Sequence, residues 1–134
     1  MPSAWKPPAV GDIVWCRFPQ APGLDPGPKP RPALVLAVVT HEDGVVVHVA
    51  YGTSQRVDRL RAGEFACLKS SNADAFAMAG LSFDTKFDFK AVAELPWTED
   101  FFKVPPRAPH GQTPKLGTLH PSLMRAAKAA YDAA

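Results

Sequence analysis

Apolar and polar side chains alternate along this chain in short bursts separated by prolines. Residues 11–18 present two faces, Ile13, Trp15 and Arg17 against Val14, Cys16 and Phe18, which is the period of a strand; Pro19 ends it. Residues 33–39, opened by Pro32, are almost continuous Val, Leu and Ala, the pattern of a strand buried on both faces. Residues 45–51 make a third strand, and His41-Glu42-Asp43-Gly44 is the turn that joins it to the second as a hairpin. Gly52 stops that strand and a polar stretch follows. A short strand is expected at 64–69. A short helix is expected at 73–79, with Asn72 as N-cap and Gly80 just past its end. Over 81–89, Leu81, Phe83, Thr85, Phe87 and Phe89 alternate with Ser82, Asp84, Lys86 and Asp88, predicting a half-buried strand with a polar outer face. Residues 91–95 read as a further strand, and Thr98 as the cap of one helical turn through Phe102. Residues 115–119 form a last strand or turn. Pro121 suits the first position of a final helix over 122–133. Five or six short strands with a C-terminal helix predict a mainly β, α+β fold, a small open barrel or sandwich.

Composition sharpens this picture. The chain of 134 residues allows one domain, 1–134, large enough to bury a core without metal or disulfide staples. Its 15 prolines fall in two groups, Pro2 to Pro32 and Pro96 to Pro121, which leaves a proline-free block between two loop-rich flanks. A charged share of 21 % excludes a disordered acidic or basic tail. The net charge of +2 is too small to identify a nucleic-acid partner, whose electrostatic signature is a local patch. Cys16 and Cys67 lie in apolar runs and form no CxxC, so they read as a reduced pair, with a disulfide as the alternative. Residues 1–8 lack the apolar stretch of a secretory leader, and no apolar run approaches the roughly 18 residues of a membrane span. A soluble, cytoplasmic protein without membrane or cofactor is expected.

Candidate chemistry narrows to one end of the hairpin. His41, His48, His110 and His120 have no Cys or carboxylate at ligand spacing, so neither a metal site nor a nucleophile motif is expected. In contrast, Pro26-Gly27-Pro28-Lys29-Pro30-Arg31-Pro32 delivers Arg31 to the mouth of the most buried strand. The partner strand ends at Gly52-Thr53-Ser54-Gln55, and the hairpin brings Arg31 and Thr53 to the same end of the sheet. Arg56, Arg59 and Arg61 follow. A guanidinium fork beside short hydroxyl and amide donors suits a phosphate. The alternative is an Arg31 paired with a carboxylate and a Thr53 that only finishes a strand.

Gly11-Asp12-Ile13-Val14-Trp15, Arg31-Pro32-Ala33-Leu34-Val35-Leu36 and the Thr53-Ser54-Gln55 strand end, in this order, resemble the PemK/MazF family of toxin endoribonucleases. Lys115-Leu116-Gly117-Thr118-Leu119, followed by Pro121 and a helix, is similar to that family's last strand and C-terminal helix, and Phe83 to Phe89 to the strand before them. The resemblance implies an SH3-like open β-barrel and a homodimer. It also implies metal-independent cleavage of single-stranded RNA by the 2′-hydroxyl, and inhibition by a cognate antitoxin. It carries the catalytic Arg onto Arg31 and the catalytic Thr onto Thr53, with Lys29, Ser54, Gln55 and Arg56 expected to bind substrate. A non-catalytic SH3-like module that binds RNA, a peptide or a protein partner is the alternative.

Three features depart from that family. They are a proline-rich loop between the first two strands, a helical insertion over 70–80, and an insertion at 91–114 that carries Trp97, Phe101 and Phe102; residues 1–10 read as an N-terminal extension. These three aromatics read as accessory core, with base stacking as the alternative.

Overall fold

The computed structural model describes residues 5–19 and 26–134. Six strands, β1 (Asp12–Cys16), β2 (Arg31–His41), β3 (Gly44–Thr53), β4 (Glu64–Cys67), β5 (Thr85–Pro96) and β6 (Lys115–Thr118), form one antiparallel sheet in the order β4-β5-β3-β2-β1-β6. Helices α1 (Ala73–Met78) and α2 (Met124–Ala133) complete an open, barrel-like α+β fold. Among the described residues no helix is long and apolar enough to cross a membrane.

Each face of the sheet owns a core. Ile13, Leu34, Ala50, Phe65 and Phe87 pack on one face beneath Phe76 of α1 and Ala127 and Ala130 of α2. Val14, Ala33, Val35, Val47, Val49 and Leu95 pack on the other beneath Trp97, Phe101 and Phe102. The aromatics of the second proline-rich segment are therefore core. Their backbone also serves the edge of β1, where Arg17 N–H donates to the Phe101 carbonyl at 2.7 Å and Lys103 N–H to the Trp15 carbonyl at 3.1 Å. Cys16 lies in the second cluster and Cys67 in the first, both as free thiols. The sheet separates them, which answers the disulfide question in favour of the reduced pair.

Two bulges decide which residues face which core. In β2, Val35 pairs with Val49 but Ala37 with His48, so Leu36 is supernumerary. In β5, Asp88 pairs with Tyr51 but Val92 with Ala50, leaving residues 89–91 extra. An odd number of extra residues reverses the alternation. Phe87 thus faces the first core while Ala93 and Leu95 face the second.

This corrects the expectation of separate strands at 81–89 and 91–95, which are a single strand beginning at Thr85. Phe83 lies outside it and is 72 % exposed, and Lys86, expected on a polar outer face, is buried. β1 is shorter than expected, and β2 opens at Arg31 rather than after Pro32. The Asn72 side chain does not cap α1; its Oδ1 accepts from Leu68 N–H at 3.0 Å and tightens the preceding turn. Gly80 does follow the helix in the left-handed region, with φ of +70°. Thr98 starts a turn through its carbonyl rather than a helix, and its hydroxyl is buried without a partner among the described residues. Pro121 opens a 3-10 turn over Pro121–Leu123 that runs into α2, and His120 Nδ1 caps it by accepting from Ser122 N–H at 3.0 Å.

Candidate functional site

The sheet register builds the site. Cys16 pairs with Arg31, Ala33 with Tyr51, and Thr53 with Lys86. Continuing the β2–β3 register two residues past Ala33↔Tyr51 sets Arg31 level with Thr53. Laterally paired residues share a face, so Cys16, Arg31, Thr53 and Lys86 form a row on the face of the second core. The close approach depends on Gly52, where a Cβ would stand 2.3 Å from the Pro32 carbonyl oxygen and 2.9 Å from the Phe87 ring. Only glycine lets the two strands meet there.

Arg31 is half-buried and makes no ion pair among the described residues. Its approach is anchored upstream, where Arg17 Nε donates to the Gly27 carbonyl at 2.9 Å and Gly27 N–H donates to the Arg17 carbonyl at 3.0 Å. Pro28, exposed Lys29 and Pro30 then lead into β2 with little conformational freedom. Thr53 Oγ1 accepts from Gln55 N–H at 3.1 Å, which leaves its hydroxyl proton free to donate. The turn continues through Arg56 at φ of +53°, a left-handed conformation that costs a non-glycine residue about 1 kcal/mol. It displays Ser54, Gln55 and Arg56 to solvent.

A buried ion pair holds the far side of this turn. Lys86 Nζ lies 3.1 Å from each Glu64 carboxylate oxygen and donates to the Arg59 carbonyl at 3.0 Å. Glu64 Oε1 also accepts from Arg61 N–H at 2.6 Å. The backbone carrying Arg59 and Arg61 is thereby tied down while both residues remain exposed. Burial alone would raise the Glu64 carboxyl; the Arg61 amide, the Lys86 ammonium and the Arg61 charge outweigh it and hold the pKa below the ordinary value.

From Arg31, a cleft of about 790 Å³ continues round the sheet end toward the first core. Pro32, Gly52 and Ser54 share its rim with Arg31. Trp15, Phe76 and Phe83 line it together with Lys69 and Arg107, and no Asp or Glu contributes to the lining. The histidines are dispersed elsewhere, His48 within 3.8 Å of Glu94 and His120 on its cap. Among the described residues no group of three or more His, Cys, Asp or Glu side chains could hold a metal ion.

The structure thus brings Arg31 beside Thr53, with Ser54, Gln55 and Arg56 on the adjoining turn and Lys29 on the incoming loop. Sequence reasoning missed Lys86 and Glu64, because the alternation of 81–89 assigned Lys86 to solvent. It missed Lys69, Phe83 and Arg107 because they reach the cleft from separate loops. No protein-family model and no curated protein matches the chain.

Proposed function

We propose that this chain is a metal-independent endoribonuclease of the PemK/MazF kind, the toxin of a toxin–antitoxin pair, acting on single-stranded RNA as a cytoplasmic homodimer. What supports this reading is the β2–β3 register, which continued past Ala33↔Tyr51 sets Arg31 level with Thr53 at the sheet end, with Arg31 lacking any acidic partner among the described residues. In the reaction, the RNA 2′-oxygen loses its proton and bonds to the adjacent phosphorus. The bond from phosphorus to the 5′-oxygen breaks, and that oxygen takes up a proton. The products are a cyclic phosphate and a 5′-hydroxyl. Arg31, whose guanidinium offers donors and no acceptor, neutralises the charge that gathers on the phosphoryl oxygens rather than acting as the base. Thr53 donates its hydroxyl proton to a nonbridging oxygen. Lys29, Ser54, Gln55 and Arg56 hold neighbouring phosphates and sugars, and a cognate antitoxin would inhibit by covering the same surface.

The test is incubation of the purified protein with total RNA in EDTA. Cleavage is expected to persist, to spare DNA of the same sequence because it lacks the 2′-hydroxyl, and to fall by about 100-fold or more in Arg31→Ala and Thr53→Ala. Wild-type rates in both variants would exclude this site. RNA binding without any cleavage would establish the non-catalytic module instead.

A further inference from the structure

The cleft beyond Arg31 combines three properties that nothing in the proposed cleavage chemistry requires. Its lining is cationic, with Lys69 and Arg107 in addition to Arg31 and no carboxylate. Among the described residues none of these three cations makes an ion pair. It also holds an open aromatic ring, Phe83, which is 72 % exposed and has no ring partner among the described residues, beside Trp15, half-buried against the first core. Finally, it is continuous with Arg31 and Ser54 at its rim, and about 790 Å³ lies within the roughly 300–1,000 Å³ of small-ligand sites.

A ligand for this cleft must be flat, apolar on its faces and anionic along its edge. A nucleotide meets all three demands, because bases stack on aromatic rings and phosphates pair with Lys and Arg. An acidic peptide would satisfy the charge but would leave a ring as exposed as Phe83 without a flat partner. We infer that the cleft binds a base and phosphate of the RNA strand flanking the scissile bond, with Phe83 as the stacking surface and Lys69 and Arg107 as phosphate contacts. The inference rests on the proposed RNA substrate, and it adds a subsite that selects which sequence is cut.

The experiment measures binding apart from cleavage, using a fluorescent single-stranded 2′-O-methyl hexanucleotide that cannot be cut. Phe83→Ala is expected to weaken binding about tenfold, with Phe83→Trp restoring it. Arg107→Ala is expected to weaken binding and to lower the slope of log affinity against log salt by about 0.7, the signature of one lost phosphate contact on a single strand. Phe83→Ala should leave that slope unchanged. Met124→Ala, on the exposed surface of α2, serves as the control. Unlabelled hexanucleotide should compete far better than a free mononucleotide; equal competition would overturn the strand assignment. Unchanged affinity in both Phe83→Ala and Arg107→Ala would overturn the subsite whatever Arg31→Ala does to cleavage. An acidic aromatic peptide that binds the cleft and is not displaced by the hexanucleotide would also overturn it. If the wild type cleaves no RNA while Phe83→Ala still loses binding, the nuclease reading falls and the subsite stands.

Discussion

The Lys86 ammonium lies between two Glu64 oxygens and the Arg59 carbonyl, with only 8 % of either charged side chain exposed. Removing one member of such a pair strands the other without compensation, so Glu64→Gln is expected to destabilise the fold by about 3 kcal/mol at neutral pH. The pair also dictates a pH dependence. The Glu64 pKa is lowered from its ordinary 4.5, so as pH falls below that value the unfolded chain binds the proton first. Stability supplied by the carboxylate is therefore complete above the ordinary value and lost as pH drops through the folded one. Urea midpoints from pH 7 to pH 3 should fall more steeply for the wild type than for Glu64→Gln. Parallel curves would show that Glu64 contributes no such linkage. Arg31 and Thr53 were readable as a pair from hairpin arithmetic alone, because both belong to neighbouring strands with a short turn. Lys86 and Glu64 were not, since their encounter depends on a strand pairing between residues 22 apart in sequence.

Strands β2 and β3 are legible because two runs of β-branched residues flank a turn, and local chemistry sets their register. β5 resists the same reading. Its alternation is honest on either side of residues 89–91 but changes sign across them, so one strand looks like two. Phe89 explains part of the need. It leaves the β3 ladder, donates its N–H to the Gly63 carbonyl at 2.8 Å, and stacks on Phe65 with its ring centroid 5.6 Å away. The bulge gives a prediction at this scale. Deleting Lys90 alone leaves an even number of extra residues and turns Ala93 and Leu95 away from the second core. That variant should lose cooperative unfolding by circular dichroism. Lys90→Ala, which keeps the count, should stay within about 0.5 kcal/mol of the wild type. A deletion variant that melts like the wild type would refute the face reversal.

Across the whole molecule, one sheet divides two cores that share no side chains, and each core contains one thiol. Burial pushes the Cys16 thiol far up, while burial followed by the nearby Asp84 charge pushes Cys67 up to about 11. Neither should react with a thiol reagent at pH 8 in the native state, because the thiolate is the reactive form. If both faces unfold as one unit, labelling of Cys16 and Cys67 should proceed at equal rates at every urea concentration. Faster labelling of one would reveal a core that opens by itself. This bipartite arrangement was only half visible in the sequence. The continuous apolar run of β2 announces a strand buried on both faces, but the cover of the second face comes from Trp97, Phe101 and Phe102, whose loop carries no periodicity.

The paired hydrogen bonds between Arg17 and Gly27 have a consequence for how this chain can vary. They are a ring closure between Arg17 and Gly27, and they fix the point from which Pro28, Lys29 and Pro30 lead to Arg31. Closing a longer ring costs only about 0.6 kcal/mol per doubling of its length. A change in chain length between Arg17 and Gly27 is therefore expected to leave the position of Arg31 as it is.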